Sequence, residues 1–252
     1  SDAEASDNFG HTVAISSDGT RCIVGAPFEN GAGAAYIFSW NGSAWTQEQK
    51  IQSSDIQASD NFGNSVAISS DGTRCIVNAY LEDTGGDAAG AVYIFSRSDT
   101  TWTQEQKIQS SDIASPDWFG FSVSISDDGT RCVVGDRQEG GTGSAYIFSR
   151  SGTTWTQEQK IIASDAQTND LFGGWVSMNS DGTRFIVGAY GEDTGGNYAG
   201  AAYIFSRSVT TWTQEQKIQA SDVGTFDFTG LCVSISGDGA KCIVSSHGDT
   251  GG

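Results

Sequence analysis

The heptapeptide Trp-Thr-Gln-Glu-Gln-Lys-Ile occupies residues 102–108, and the same seven residues return at 45–51, 155–161 and 212–218. A second marker, Phe-Gly-x-x-Val, begins at Phe9, Phe62, Phe119 and Phe172, and it decays to Thr229-Gly230 with Val233 in a fifth unit. The spacing of this marker alternates between 53 and 57 residues. A period near 50 residues filled with strand-forming residues is typical of propeller blades.

Each unit reads as four short strands joined by turns. In the second unit we predict strands at Phe62 to Ser69, Arg74 to Asn78, Ala91 to Ser96 and Trp102 to Ile108. Asp71-Gly72 between the first two favours a tight hairpin, because glycine accepts a positive φ. Simple alternation predicts that Trp102, Gln104, Gln106 and Ile108 share one face of the fourth strand. The predicted fold class is therefore all-β, a β-propeller of four-stranded antiparallel blades.

The repeat divides the chain into about five blades within a single propeller domain or segment spanning 1–252. The units cover approximately 1–53, 54–110, 111–163, 164–220 and 221–252, and the last is partial because the sequence stops in the loop after its second strand. An incomplete blade would leave an open strand edge, which tends to pair with another chain. We therefore expect self-association or a protein partner at the fifth blade, unless further sequence completes it.

Three segments of the second unit carry a family resemblance. Phe62-Gly63, Cys75-Ile76-Val77 and Gly90-Ala91-Val92-Tyr93-Ile94-Phe95 resemble the FG-GAP repeat of integrin α-subunit propellers, and Val24-Gly25-Ala26-Pro27 in the first unit contains the Gly-Ala-Pro sequence. The Trp-Thr-Gln strands are most similar to the bacterial and protist branch of that family. The resemblance implies that the first strand of each blade lines a central channel and the fourth forms the outer edge.

The chain departs from the family at the hairpin between the first two strands. Calcium-binding members carry Asp-x-Asp-x-Asp-Gly there, whereas this chain has only Ser17-Asp18-Gly19 and its equivalents. The departure argues against a calcium site of the integrin type.

Charge is distributed unevenly between the two ends of the predicted propeller. In an up-and-down blade the 2-3 and 4-1 loops lie at one end, and that end collects 20 of the 31 acids against one base, Arg137. A field of one sign repels nucleic acid and anionic membrane, and it attracts cations or a basic partner. The acids concerned are Asp2, Glu4, Asp7, Glu29, Asp55, Asp60, Glu82, Asp83, Asp87, Asp112, Asp117, Asp136, Glu139, Asp165, Asp170, Glu192, Asp193, Asp222, Asp227 and Asp249. Strand 4 adds four Glu and four Lys, which cancel in this accounting, and solubility is an alternative reason for the acidic end.

A pair of aspartates five residues apart precedes each Phe-Gly position. Two carboxylates and nearby carbonyls in one loop are suitable ligands for Ca²⁺, and calcium is the one cofactor that we consider. The competing interpretation is that each Asp accepts backbone hydrogen bonds and shapes the loop without metal. The candidate ligands are Asp2, Asp7, Asp55, Asp60, Asp112, Asp117, Asp165, Asp170, Asp222 and Asp227.

Aromatic residues offer the second type of candidate site. The tryptophans of the heptapeptide recur with the repeat, so blade packing explains them. Trp40, Trp118 and Trp175 break the repeat, and a lectin-like pocket for a glycan would be built on Trp118 or Trp175. His11 and His247 occur singly and lack the partners that a catalytic or zinc role needs.

Cysteine usage does not fix the compartment, whereas Asn41-Gly42-Ser43 is a glycosylation sequon in a predicted exposed loop. The sequon favours an extracellular or cell-surface setting, and no stretch of the sequence is long and apolar enough for membrane insertion.

The sequence thus favours a non-enzymatic structural or adhesive propeller that mediates protein assembly at a cell or particle surface. The alternative is a ligand-binding module, lectin-like or calcium-dependent, that uses the acidic loops. An enzyme would need a polar constellation that breaks the repeat symmetry, and the sequence shows none.

Overall fold

The computed structural model describes residue 4 and residues 6–248 of the 252-residue chain. These residues form 18 strands in five sheets, four of four strands and one of two, and their only helical elements are 3-10 turns at Glu29–Gly31 and Glu139–Gly141. Every sheet is antiparallel, with its strands side by side in chain order. The all-β propeller architecture of four-stranded blades is confirmed.

The strand bounds show the repeat directly. The first blade contains β1 (Val13–Ile15), β2 (Arg21–Ala26), β3 (Ala34–Trp40) and β4 (Trp45–Ile51); the second contains β5 (Val66–Ile68), β6 (Arg74–Ala79), β7 (Ala91–Ser98) and β8 (Thr101–Ile108). The third contains β9 (Phe119–Ile125), β10 (Arg131–Asp136), β11 (Ser144–Ser151) and β12 (Thr154–Ile161); the fourth contains β13 (Trp175–Met178), β14 (Arg184–Ala189), β15 (Ala201–Ser208) and β16 (Thr211–Ile218). The described part of the fifth consists of β17 (Val233–Ile235) and β18 (Cys242–Val244).

Among the described residues, no helix has both the length and the apolar character needed to cross a membrane.

The first strand of the second blade is shorter than predicted. It begins at Val66, because Phe62 forms a parallel bridge with Gly33 of the preceding blade and Gly63 turns the chain with a φ of 91°. The Phe-Gly marker is therefore a contact between blades. Phe62 is fully buried by this contact.

The core lies between blades, since each blade packs one face on the opposite face of the next. Ile23, Ile37 and Ile51 of the first blade share a buried cluster with residues of the second, among them Tyr93 and Trp102. The same arrangement recurs between the second and third blades and between the third and fourth. Removal of this apolar surface from water is the main stabilising contribution to the array.

Glycine is required where a strand of one blade touches the backbone of the next. A Cβ added to Gly135 would lie 2.0 Å from the carbonyl oxygen of Gly173, and Gly25 and Gly188 stand in equivalent contacts. The second blade has Asn78 there instead, and its buried side-chain amide donates to the Gly120 carbonyl at 2.7 Å.

The outer strands contain a bulge that alternation did not predict. Phe95 pairs with Gln104 but the adjacent Ile94 pairs with Gln106, so Glu105 is the extra residue. A β-bulge shifts the side-chain alternation by one residue. The prediction of one shared face is therefore wrong: Trp102 and Gln104 lie on one face, and Gln106 and Ile108 lie on the other.

Candidate functional site

The antiparallel order of every blade brings the 2-3 and 4-1 loops to one end of the array, which we call the loop face. It is represented in the second blade by residues 80–90 and 109–118. Apart from Asp2, which lies outside the described residues, the predicted aspartate pairs lie at this end of their blades, as do the two candidate ligand tryptophans, Trp118 and Trp175.

In the second, third and fourth aspartate pairs the first aspartate forms an ion pair with a lysine of the outer strand. Lys107 Nζ lies 2.7 Å from Asp55 Oδ2 and 2.9 Å from Glu82 Oε1. Burial alone would raise the pKa of Asp55, but the Lys107 ammonium outweighs it and holds the pKa below its ordinary value. Asp112 with Lys160 and Asp165 with Lys217 repeat the contact at 2.6 and 2.7 Å.

The second aspartate of a pair is buried and closes its own loop. Asp60 Oδ2 accepts a hydrogen bond from the Gln57 backbone N–H at 2.7 Å, and the carboxylate is only 2% exposed. Burial raises the pKa of Asp60, and the charge of Glu82 adds to the rise. The same backbone bond is formed by Asp7, Asp117, Asp170 and Asp227.

The two aspartates of a pair thus serve different local roles. Asp222 forms no lysine ion pair within the described part of the chain, and Asp2 lies outside that part. Within residue 4 and residues 6–248, no group of three or more His, Cys, Asp or Glu side chains is placed to hold a metal ion. Calcium binding at these aspartates stays a prediction.

The lysines of the outer strands point to one end of the blades and the glutamates to the other. Their charges therefore do not cancel at either end, contrary to the prediction from the sequence. The lysines reach acids of the loop face, as Lys50 does at 2.5 Å from Glu29. The glutamates reach arginines near the opposite end, as Glu105 does at 3.4 Å from Arg74. The loop face is therefore less negative than its loops alone suggest, and nine of its acids are buried: Asp7, Glu29, Asp60, Glu82, Asp117, Asp136, Asp170, Glu192 and Asp227.

Asp136 is a buried carboxyl in an unusual position. It is fully buried, Oδ1 accepts the Glu139 N–H at 3.2 Å, and Oδ2 has no hydrogen-bond partner. Burial, followed by the charges of Asp117 and Glu139, raises the pKa of Asp136 to about 9. The carboxyl is therefore neutral at pH 7.

Arg137, the one base of the loop face, lies in a cluster of aromatic rings. Its guanidinium carbon is 4.1 Å from the ring centre of Phe121 and 4.6 Å from that of Trp118, and Nη1 donates to the Tyr190 hydroxyl at 2.9 Å. Tyr80 closes the cluster with edge contacts to both Trp118 and Phe121. Trp118 therefore holds Arg137 by cation–π contact, and it is half-buried.

Trp175 lines a cavity of about 300 Å³ enclosed by the first strands of four blades. His11, Thr12, Ser65 and Ser122 come from the other three blades. An adjoining cavity shares these four residues and Trp175, and it adds Asn64 and Phe121. We call this region the channel mouth. Trp118 contacts Phe121, and Phe121 lines the same cavity as Trp175. Of the two tryptophans, only Trp175 lines the cavity itself.

The two ends of the blade array expose faces that are buried everywhere else. Phe9, Val13 and Ile15 of the first blade are 48%, 67% and 59% exposed, whereas their second-blade equivalents Phe62, Val66 and Ile68 are at most 8% exposed. At the other end Ile243 is 77% exposed, whereas its equivalents Ile23, Ile76, Val133 and Ile186 are fully buried. We call these surfaces the first-blade face and the fifth-blade face.

The remaining candidates are exposed or structural. Asn41 lies in the exposed hairpin between β3 and β4, where its side-chain oxygen accepts the Ser43 and Ala44 N–H groups. Asp18 accepts hydrogen bonds from Ser16 and Thr20 in the first hairpin, and these bonds lower its pKa to about 2. All five cysteines are free thiols, including Cys232 and Cys242.

Consecutive four-stranded antiparallel blades around a channel define the class of protein as a β-propeller. The chain belongs to the FG-GAP repeat family, whose repeat matches residues 1–38, 45–95, 102–148, 155–205 and 212–252. Each internal repeat begins at the outer strand of one blade and ends in the third strand of the next. This repeat type indicates a protein-interaction module.

Solved propellers resemble the chain in fold alone. A candidate 6-phosphogluconolactonase from Bacteroides fragilis has 15% identity and a TM-score of 0.57, with 88% of this chain and 56% of that chain covered. A candidate 6-phosphogluconolactonase from Bacteroides uniformis has 10% identity and a TM-score of 0.54, with coverages of 93% and 77%. A candidate TolB from Agrobacterium tumefaciens has 15% identity and a TM-score of 0.59, with coverages of 99% and 74%. The chain thus spans little more than half of the first structure. A comparison with curated proteins found no match.

Sequence reasoning missed the arginine cluster, the buried Asp136 and the place of His11 in the cavity. Their common signal is a departure from the repeat. Asp136 stands where three other blades have alanine, and Arg137 stands where Pro27, Tyr80, Tyr190 and His247 occur.

Proposed function

We propose that this propeller is a non-enzymatic interaction module of a cell or particle surface that assembles with a second copy of itself. The first-blade face of one copy packs on the fifth-blade face of another. The observation that carries the proposal is the exposure of Val13, Ile15 and Ile243 at 67%, 59% and 77%. An apolar surface of this kind marks an interaction site.

The occupant follows from the interface already present within the chain. Phe9 contacts Tyr36 and Phe38 at ring distances of 5.3 and 6.1 Å, as Phe62 contacts Tyr93 and Phe95 at 5.7 and 6.2 Å. The first-blade face therefore has the same ring arrangement as the face of the second blade, which the first blade covers. The fifth-blade face offers the complementary isoleucine side. Contact between two different faces is heterologous, so it extends an assembly instead of closing a pair.

The cell-surface setting and the absence of enzymatic activity rest on other observations. The sequon at Asn41 supports an extracellular setting, and its side chain is exposed in the structure. The names of the two candidate lactonases describe those proteins, since 10–15% identity carries only the fold. Adhesion follows if the assembled copies lie on a surface.

Sedimentation velocity over a concentration series tests the association. We expect oligomers of the wild-type chain, and we expect Val13→Asp and Ile243→Asp each to shift them toward monomer, because a buried unpaired charge is strongly unfavourable. Val209→Asp is the matched control: Val209 is 84% exposed but lies in the hairpin between β15 and β16. A wild-type chain that stays monomeric, or equal dissociation by Val209→Asp, would contradict the proposal.

A further inference from the structure

The channel mouth is one of the places where the blades differ in sequence. Next to the invariant Phe-Gly glycines the successive blades carry His11-Thr12, Asn64-Ser65, Phe121-Ser122 and Gly174-Trp175. A position with only a structural role is expected to carry the same residue in every blade, as each position of the outer-strand heptapeptide does. The differences therefore need another reason, and residues of all four dipeptides line the two adjoining cavities of the channel mouth.

The cavity combines an aromatic wall with hydroxyl, amide and imidazole groups. Trp175 is 41% exposed, and Phe121 stands on the same cavity. His11, Asn64, Thr12 and Ser65 provide donors and acceptors from two other blades. The two adjoining cavities of the channel mouth have volumes of about 300 and 240 Å³, which suits a small ligand.

The arginine cluster makes the aromatic wall rigid. The Arg137 guanidinium lies between the Phe121 and Trp118 rings, 4.1 and 4.6 Å from their centres, and the two ring centres are 6.1 Å apart with an interplanar angle of 20°. The aromatic box at Tyr80, Trp118 and Tyr190 is already filled by Arg137, so it is closed to an external cation. A fixed wall lowers the entropy cost of binding.

Charge selects the class of ligand. The surrounding loops carry an excess of carboxylates, which disfavours an anion, and Arg137 already occupies the aromatic box that would otherwise hold a cation. A ligand with one apolar face and several hydroxyl groups fits both the ring and the polar side chains. We propose that the channel mouth binds a neutral saccharide residue, stacked on Trp175 and hydrogen-bonded by His11 and Asn64.

The site is tested by saturation-transfer NMR and titration with methyl glycosides of glucose, galactose, mannose and N-acetylglucosamine, with methyl glucuronide and choline as charged comparisons. We expect at least one neutral glycoside to bind, and Trp175→Ala to weaken it at least about fivefold, the range of an aromatic contact. Trp45→Ala is the matched control, because Trp45 is also 41% exposed but lies on the outer strand β4.

A second variant guards against loss of the fold. His11 is exposed and belongs to a different blade, so we expect His11→Ala to weaken binding with an unchanged thermal melt. Binding by none of the neutral glycosides, a preference for methyl glucuronide or choline, or unchanged affinity in both Trp175→Ala and His11→Ala would overturn the proposal. The association of copies is measured separately and can fail without affecting this result.

Discussion

Asp136 stands where the first, second and fourth blades have a fully buried alanine, at Ala26, Ala79 and Ala189. Its Oδ2 is buried without a hydrogen-bond partner, and its carboxyl stays protonated up to a pKa of about 9. An ionisable group with a raised folded-state pKa opposes folding once the unfolded chain can release the proton. The residue therefore lowers stability at neutral pH.

We predict that Asp136→Ala raises the free energy of unfolding by about 1–3 kcal/mol at pH 7, the usual cost of an unsatisfied buried polar group. The folded pKa lies above the ordinary value of 3.8, so the cost of keeping the carboxyl protonated is absent below about pH 4 and grows as pH rises toward 9, whereas the cost of the unsatisfied oxygen does not depend on pH. Thermal melts of both proteins between pH 4 and pH 9 check the sign: the gain in Tm should widen with pH.

Asp87→Ala is the control, since Asp87 is an exposed acid of the same loop face. An Asp136→Ala protein that melts below the wild type at pH 7, or a gain that does not depend on pH, would refute this account of Asp136.

At the scale of the element, the outer strand works as a connector between blades. Gln106 holds the backbone of Trp155 in the next blade, since Nε2 donates to its carbonyl at 3.0 Å and Oε1 accepts its N–H at 2.8 Å. The Trp155 indole N–H donates to Glu105 at 3.0 Å. Gln104 accepts the Ser54 N–H of the preceding 4-1 loop at 2.9 Å. Contacts between blades thus explain why most positions of the heptapeptide carry the residues they do.

We predict that Gln106→Ala lowers the free energy of unfolding by about 1–2 kcal/mol, because two backbone hydrogen bonds are lost at a half-buried position. Gln216→Ala is the matched control: Gln216 occupies the same position in the fourth blade but is exposed. Urea unfolding monitored by circular dichroism compares the two. Equal effects would mean that the connector role of Gln106 is wrong.

The strands and hairpins could be predicted from sequence because their signals are local. The turn signal Asp71-Gly72 and the apolar run Cys75-Ile76-Val77 can be read without knowledge of a neighbouring blade. The bulge at Glu105 could not be predicted in this way. It depends on the hydrogen bonds of Gln106 to the Trp155 backbone and on the contacts of Glu105 with other strands and blades. The aromatic cluster is equally non-local: Tyr80, Trp118 and Tyr190 come from three blades.

At the scale of the whole molecule, the assignment of acids to loops predicted the end of the array on which they lie. It did not predict which of them are buried or paired with lysine. Topology alone placed Asp55, Asp60 and Glu82 at one end, as the blades confirm. Burial and pairing then depend on where the lysines of the outer strand point, and sequence does not give that direction. The exposed part of the loop face is consequently smaller than the acid count suggests.

Calcium binding by the loop face is tested on the intact chain. Asp55 and Asp60 already contact Lys107 and the Gln57 N–H, so a metal would have to displace these partners. If the aspartates only shape their loops, Tm will be the same in EDTA and in about 1 mM calcium, the affinity range of weak extracellular sites. A rise in Tm that Asp55→Asn and Asp60→Asn abolish would instead establish these residues as ligands.

The most direct test of the account mixes two variants that are each damaged at one end. Val13→Asp blocks the first-blade face and Ile243→Asp blocks the fifth-blade face, so each protein alone should sediment as a monomer. Their mixture retains one intact face of each kind and should form a one-to-one dimer that grows no further. Monomers in the mixture, or oligomers of either variant alone, would contradict assembly through complementary blade faces.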